Sequence, residues 1–458
     1  MTGSQAMKVA TQMSREALGI IGGVALRAIS PVRHQGDAER PWWRRPGIGV
    51  QYQIEYRPGM DWERDYKQFN RSMMDDEGNL AFNGPFCQVE DWVDLSARTG
   101  ANYHMMEIKW HDGICYFDTG LTDWKTPDDY AARFAEASRR AGIPFMFYYS
   151  SVFDHNPKFD SIQPAPGHTI SFIGYRPEYL DYMRAQYREI MDKYAPDGMW
   201  IDWYWPDEAT DATIDLFRSE YPETVLAFNA SNYFPSAQRR LHYTSSEAHN
   251  PDGHYLKLVK MDRGLVPVFA SCWKWATIGR RLFEPPWELI APAGRWWQDP
   301  TLRDDPNDLL RMAAIVMANG GLFFMGVTSE LDGRIYPDQV KQLGILGDWY
   351  IPRKRLFAES VPRRYRRREP KGVEVKPAGF KTTACEHGPD TLLHLFNMRR
   401  STRPIVVELK GRAWETVRGA VLEPGGTRLD IIRDRNGARL VVPPEFSDPV
   451  DTILRLES

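Results

Sequence analysis

Asp202 stands in the run Trp200-Ile201-Asp202-Trp203-Tyr204-Trp205, an acid wedged among aromatic rings at the end of an apolar stretch. A carboxylate in such surroundings is costly to ionise unless something pairs with it, which suits a group held ready to react. Glu247 closes a second stretch, Ser245-Ser246-Glu247-Ala248-His249, while Glu107 and Asp112 flank a third and Asp207 and Glu208 follow Asp202 as alternatives. Two carboxyl groups facing one cleft can cleave a glycosidic bond: one protonates the leaving oxygen, and the other acts at the anomeric carbon, about 5–5.5 Å away in retaining enzymes. Asp202 is the first candidate for a catalytic carboxylate and Glu247 the second. In Lys109-Trp110-His111-Asp112-Gly113-Ile114 an indole and an imidazole stand beside an acid and a turn glycine, so Trp110 and His111 are expected to contact sugar.

Other chemistries find little support. The ten histidines are dispersed, with no His-x-His or His-Glu-x-x-His spacing, so no metal is expected. No Gly-x-Ser-x-Gly elbow or phosphate-binding loop occurs, Gly22-Gly23 lacks the rest of a dinucleotide fingerprint, and no cofactor is expected. The four cysteines, Cys87, Cys115, Cys272 and Cys385, are scattered, unlike a disulfide framework. A formal net charge of -3 leaves no footprint for nucleic acid. The arginine cluster Arg363, Arg364, Arg366, Arg367 and Arg368 reads as a solvated linker. No apolar run is long enough to span a membrane. Residues 17–29 read as a short helix rather than a signal core, since Arg27 interrupts them, and this points to a cytoplasmic rather than a secreted chain. The expected partner is an oligosaccharide or glycoside, with a homo-oligomer possible. The 16 tryptophans fit sugar recognition, because aromatic faces stack on sugar rings.

The elements that must position these groups alternate between strand and helix. Strand-like runs occupy 47–54, 103–111, 143–150, 198–205, 224–231, 242–247, 266–273 and 321–327, with helical stretches at 127–141, 177–194, 308–317 and 337–346 between them. Near-continuous apolar strands separated by helices predict a parallel sheet covered on both faces. Eight such units predict a (β/α)8 TIM barrel, whose chemistry sits at the C-terminal strand ends. Thr126-Pro127-Asp128-Asp129 reads as a helix start and Gly142 as a helix end. Two long connections, 55–86 and 274–303, both follow strands. The second holds Trp275, Phe283, Trp287, Trp296 and Trp297 and reads as a functional loop. Shorter strand runs at 373–377, 391–398, 404–411, 415–422, 438–443 and 451–456, with turns at Pro424-Gly425-Gly426 and Asn436-Gly437, predict a small β-sandwich. The expected division is an N-terminal extension at 1–46, a catalytic barrel at 47–352, an Arg-rich linker at 353–370 and a β-sandwich at 371–458.

Several segments together resemble glycoside hydrolase family 29, the retaining α-L-fucosidases. Lys109–Ile114 resembles that family's Lys-His-His-Asp-Gly-Phe motif, Trp200-Ile201-Asp202 its Trp-Phe-Asp motif, and Phe147-Tyr148-Tyr149-Ser150 its third-strand ending. Asp91-Trp92-Val93-Asp94-Leu95 through Tyr103, and Asn319-Gly320-Gly321-Leu322 through Ile335, resemble its second- and eighth-strand segments over roughly residues 45–355. The resemblance implies a retaining exo-glycosidase with Asp202 as nucleophile, His111 on a sugar hydroxyl and Trp62 as a pocket ring. Glu247 is the best match for the acid/base. Tyr149, Trp203, Asn229 and Trp273, at or beyond strand ends, complete the expected substrate-binding set with Gln51 and Gln53. The chain departs from the family where His-Trp-Gly becomes Gln51-Tyr52-Gln53, where the first paired histidine becomes Trp110, and where Asn-Asn-Arg becomes Asn229-Ala230-Ser231. These departures imply retained chemistry with a sugar other than fucose open. The alternatives are a catalytically silent carbohydrate-binding barrel and a glycosidase or transglycosylase for another deoxy or pentose sugar.

Overall fold

The computed structural model describes residues 41–54, 86–151, 154, 156–160, 177–202, 208–229, 240–247, 287–294, 302, 305–362, 370–398, 402–435 and 437–458. The side chains of 160, 208, 209, 244, 246 and 247 are excepted. Eight parallel strands form one sheet: β1 (Gly47–Gln53), β2 (Tyr103–Lys109), β3 (Phe145–Ser150), β4 (Gly198–Asp202), β5 (Val225–Phe228), β6 (Thr244–Glu247), β7 (Trp287–Pro292) and β8 (Leu322–Thr328). Their order is β5-β4-β3-β2-β1-β8-β7-β6. Every residue of β1, β2, β3, β4, β7 and β8 is buried, as a sheet covered on both faces requires. The covering helices include α1 (Val89–Thr99), α2 (Tyr130–Ala141), α3 (Pro177–Tyr194), α4 (Glu208–Glu220), α5 (Asn307–Ala318), α6 (Pro337–Tyr350) and α7 (Lys354–Ala358). Helix α2 begins three residues later than its proline signal predicts. Asp129 takes the cap, its carboxylate accepting from the Ala132 backbone N–H at 3.0 Å, and Gly142 ends the helix in the left-handed region at φ 67°, where a side chain would be strained.

The seventh strand corrects the sequence reading. It is Trp287–Pro292, inside the stretch expected to be a loop, whereas the expected strand at 266–273, with Trp273, lies outside the described residues. Glu288 explains why β7 can be buried despite its acid. Its Oε1 accepts from Trp200 at 3.1 Å and Ser245 at 2.7 Å, and its Oε2 from Tyr103. Burial pushes this carboxyl above the usual range. Because β2 and β4 reach the same acid from beyond adjacent positions, the sheet must curl around it.

A β-bulge in β2 sorts the side chains that matter most. Glu107 pairs in register with Tyr148, but the register shifts before Lys109 pairs with Tyr149. Residues two apart on a regular strand share a face, and a bulge re-aims them. Lys109 accordingly meets Asp154 at 2.8 Å, with both side chains fully buried, and donates to the Tyr179 hydroxyl at 2.9 Å and the Ser150 carbonyl at 3.0 Å. The turn that follows needs Gly113, since at φ 76° a Cβ would sit 2.0 Å from Asp154 Oδ1.

Beyond α7 the described strands are antiparallel. One sheet runs β15-β14-β18-β12-β11-β9 and the other β10-β13-β17-β16, with β9 (Val361–Pro362), β10 (Val373–Lys376), β11 (Phe380–His387), β12 (Asp390–Asn397), β13 (Ile405–Leu409), β14 (Gly419–Glu423), β15 (Thr427–Leu429), β16 (Ile431–Asp434), β17 (Gly437–Val442) and β18 (Asp451–Glu457). Leu393, Leu395, Ile405, Val407, Leu440 and Leu454 share the core between the two sheets, a sandwich-like packing. On the opposite face Cys385, Leu392, Phe396 and Ile453 join the core of the parallel sheet. Buried Arg311 of α5 ties the two parts together, pairing with Asp305 and Asp308 and donating to the Asn397 carbonyl at 3.1 Å.

At this junction His394 Nδ1 meets Asp451 Oδ2 at 2.7 Å, both side chains fully buried, under the stacked rings of Phe357 and Phe396. Burial by itself lowers the imidazole's pKa, but the Asp451 carboxylate overrides it and the value is pushed up to about 10. A group raised on folding contributes stability that is complete below its unfolded value, about 6.5, and is lost as pH rises through the folded one. His394→Leu is expected to destabilise the fold at neutral pH by roughly 3–5 kcal/mol, the cost of breaking a buried pair. Urea titrations should show that gap narrowing toward pH 10; a gap independent of pH contradicts the charged pair.

Candidate active site

Asp202 is the last residue of β4 and pairs in register with Ser150. The residue is nearly buried, at 5% exposure, and both carboxylate oxygens are held. Asn229, just past β5, donates its amide to Oδ1 at 2.7 Å, and the Tyr148 hydroxyl donates to Oδ2. His111 Nε2 lies 3.6 Å from the same Oδ2, while its Nδ1 shares a 2.6 Å hydrogen bond with the Ser150 hydroxyl. Trp110 stacks on the His111 ring at 5.0 Å, and Trp200 stacks on Tyr148 at 5.5 Å. Donors on both oxygens favour the ionised form of a buried acid, and the packed rings fix where those donors point.

A second acid shares this interior. Glu107 accepts from the Gln51 amide at 3.0 Å and from the Ile54 backbone N–H at 3.1 Å. Burial pushes its carboxyl well above the usual range; the Asp202 and Asp112 charges add to the rise, and the two N–H donors oppose it. Asp112 turns back on its own loop, accepting from the Ile114 N–H at 2.9 Å. Gln53 sits one layer further along β1, where its Oε1 accepts from the Thr328 hydroxyl at 3.3 Å.

Asp202, His111, Trp110 and Asn229 therefore come together, and Gln51 hydrogen-bonds Glu107, whose carboxyl feels the Asp202 charge. Tyr149 does not join them. Strand alternation turns it to the helix side, where its hydroxyl donates to Gln186 at 2.6 Å and its ring meets Tyr187 edge-on. Tyr148 holds the place expected of Tyr149. Counting back in twos along β3 from Ser150, the register partner of Asp202, would have found it. Trp62, Trp203 and Trp273 lie outside the described residues, as does the side chain of Glu247. The Glu247 backbone ends β6, in register with Ile290.

A family model for Alpha-L-fucosidase matches residues 42–352. The chain belongs to the alpha-L-fucosidase family. Tissue alpha-L-fucosidase of Macaca fascicularis is 25% identical over 195 residues, covering 39% of this chain and 39% of that protein. The Homo sapiens tissue enzyme matches with the same identity and coverage, so the chain spans 39% of the length of these curated relatives. Among solved structures, Thermotoga maritima alpha-fucosidase in complex with a mechanism-based inhibitor aligns at a TM-score of 0.64 and 18% identity, covering 91% of this chain and 96% of that one. Alpha-L-fucosidase isoenzyme 1 from Paenibacillus thiaminolyticus aligns at 0.64 and 20%, covering 91% and 97%. At such identities the likeness is one of fold. Because these alignments cover 91% of the chain, the likeness of fold reaches into the antiparallel sheets, beyond the residues the family model matches.

The tyrosine on Asp202 makes a direct prediction. Tyr148→Phe removes a hydrogen bond to a charged group, about 1.5–3 kcal/mol, and so should disfavour the ionised form of Asp202. The acid limb of the kcat/KM profile should move upward. An unmoved limb would show that the hydroxyl does not hold the ionised carboxylate.

Proposed function

We propose that this chain is a retaining exo-glycosidase acting on a terminal α-L-fucoside or a related sugar. Asp202 attacks the anomeric carbon as Glu247 gives its proton to the departing oxygen, leaving a glycosyl-enzyme ester. Glu247, now a carboxylate, takes a proton from water, and the hydroxide displaces Asp202 with a second inversion. The observation that carries the reading is the placement of Asp202 at the end of β4, nearly buried and hydrogen-bonded on both oxygens. Such an anion needs no reorganisation before it attacks. The reading is supported by the Glu247 backbone ending β6, a parallel strand of the same sheet as β4.

That rim is the C-terminal face of a (β/α)8 barrel in this reading, with residues 47–352 as the catalytic unit and 371–458 as the β-sandwich. Closure between β5 and β6 is supported at their base, where the His242 backbone N–H donates to the Leu226 carbonyl at 3.2 Å and the Leu226 N–H donates to His242 Nδ1 at 3.0 Å. The expected substrate is a glycoside with its terminal sugar seated against Trp110 and His111.

A panel of nitrophenyl glycosides tests the proposal, with the product's anomeric configuration followed by NMR before mutarotation. Release of the first-formed sugar with the configuration of the substrate supports it. Inversion contradicts the two-step scheme, and silence across the panel favours a carbohydrate-binding barrel without catalysis.

A further inference from the structure

Glu107 enters the same interior as Asp202 and has no part in the scheme above. It is 1% exposed. The ionisable groups that face it are Asp202 from β4, Asp112 from the turn after β2 and the Cys87 thiol ahead of α1, with Tyr148 beside it in register on β3. Lys109, two residues on, is turned away by the bulge and paired with Asp154. A carboxyl out of water and next to two other acids favours its neutral form.

The Gln51 amide supplies the second observation. Its Nε2 lies 3.0 Å from Glu107 Oε1, while its own Oε1 is buried with no hydrogen-bond partner among the described residues. A half-turn of a glutamine amide exchanges donor and acceptor with little change of shape. After that half-turn the Gln51 oxygen accepts a Glu107 O–H, and the amide N–H groups point to where the oxygen found no partner. An ionised Glu107 thus leaves an acceptor at that point, and a neutral one leaves a donor.

We propose that Glu107 works as the neutral acid, a positioning residue whose O–H sets the Gln51 amide so that its N–H groups meet an oxygen of the bound sugar. This rests on the glycosidase reading and adds a specificity-determining pair to it. It also leaves Asp202 as the charged member of the two acids, since neighbouring carboxyls compete for a single proton.

Steady-state kinetics of the wild type, Glu107→Gln and Gln51→Leu test the pair, on whichever nitrophenyl glycoside the wild type turns over. Glutamine at 107 keeps a donor for the Gln51 oxygen and carries no charge. Glu107→Gln should keep kcat/KM within about threefold and leave the acid limb of its pH profile in place. Gln51→Leu should raise KM about tenfold or more with kcat nearly unchanged, the signature of lost binding shared by ground and transition states. A loss of about a hundredfold in Glu107→Gln at every pH, a displaced acid limb, or an unchanged KM in Gln51→Leu would each overturn the assignment. Should the glutamine variant fail to fold, the KM of Gln51→Leu decides alone. Turnover of no glycoside by the wild type sinks the glycosidase reading and this inference with it, whereas wild-type activity in Asp202→Asn removes Asp202 as the nucleophile and leaves the Glu107–Gln51 pair to its own test.

Discussion

Asp202→Asn is expected to lower kcat on every responsive glycoside by on the order of 10⁴-fold, about 5 kcal/mol of transition-state stabilisation. The size follows from what the side chain is asked to do. An amide has nearly the shape of the carboxylate and can keep a contact to Tyr148 or Asn229, so the pocket should survive. It carries no charge to meet an oxocarbenium-like carbon and forms no hydrolysable ester. KM should change far less than kcat, because the lost interaction belongs to the transition state. Circular dichroism and thermal unfolding should match the wild type, which separates a chemical defect from a folding one. A variant with more than a few per cent of wild-type kcat would remove Asp202 from the nucleophile's role.

Glu247→Gln is expected to lose about 10²–10⁴-fold in kcat, and the loss should depend on the leaving group. An acidic aryl leaving group departs without protonation, so formation of the glycosyl-enzyme should be nearly normal and its hydrolysis slow. A burst of nitrophenol followed by a slow steady state is the expected trace, and added azide should speed the second phase because an anion needs no general base. Alkyl glycosides should instead stall at the first step. An equal loss for good and poor leaving groups, with no rescue by azide, would mean that another acid fills this role. Glu288 would not be that acid, because Trp200, Ser245 and Tyr103 hold it in the interior of the sheet.

Much of this arrangement was legible before any coordinates because parallel strands buried on both faces are unmistakably apolar. β6 is the polar run Thr-Ser-Ser-Glu, and Glu247 rested on its place in the strand–helix alternation and on the family resemblance, whereas the end of β4 marked Asp202 on that apolar signal. β7 was missed for the opposite reason. Trp287-Glu288-Leu289-Ile290-Ala291-Pro292 carries an acid and ends in proline, while residues 266–273 present a more continuous apolar run nearby. Only partners distant in sequence, Tyr103 and Trp200, make Glu288 acceptable in a strand. In the antiparallel sheets β11 was missed because Phe380–His387 is polar and partly exposed, with its pairing to β12 supplying what its composition does not.

Within the site, residue type was easier to read than direction. Tyr148 and Tyr149 are chemically alike, and the period of two sends the first to Asp202 and the second to Gln186. Glu107 was visible only as an acid near a strand end. Its meaning depends on the bulge before Lys109, which no local pattern announces, and which places the Glu107 carboxyl inside the sheet and the Lys109 ammonium against Asp154. In the proposed reading the sugar's identity is expected to rest on Gln51, Gln53 and Trp110, and on Ser231, which lies outside the described residues.

The most direct measurement is to incubate the protein with an activated 2-deoxy-2-fluoro glycoside of the sugar it prefers, digest it, and sequence the labelled peptide by mass spectrometry. The predicted result is time-dependent inactivation with one glycosyl group esterified to Asp202 and no labelling of Asp202→Asn. An adduct on a different residue, or turnover of the parent glycoside with no adduct formed, would contradict the assignment of Asp202 as the nucleophile.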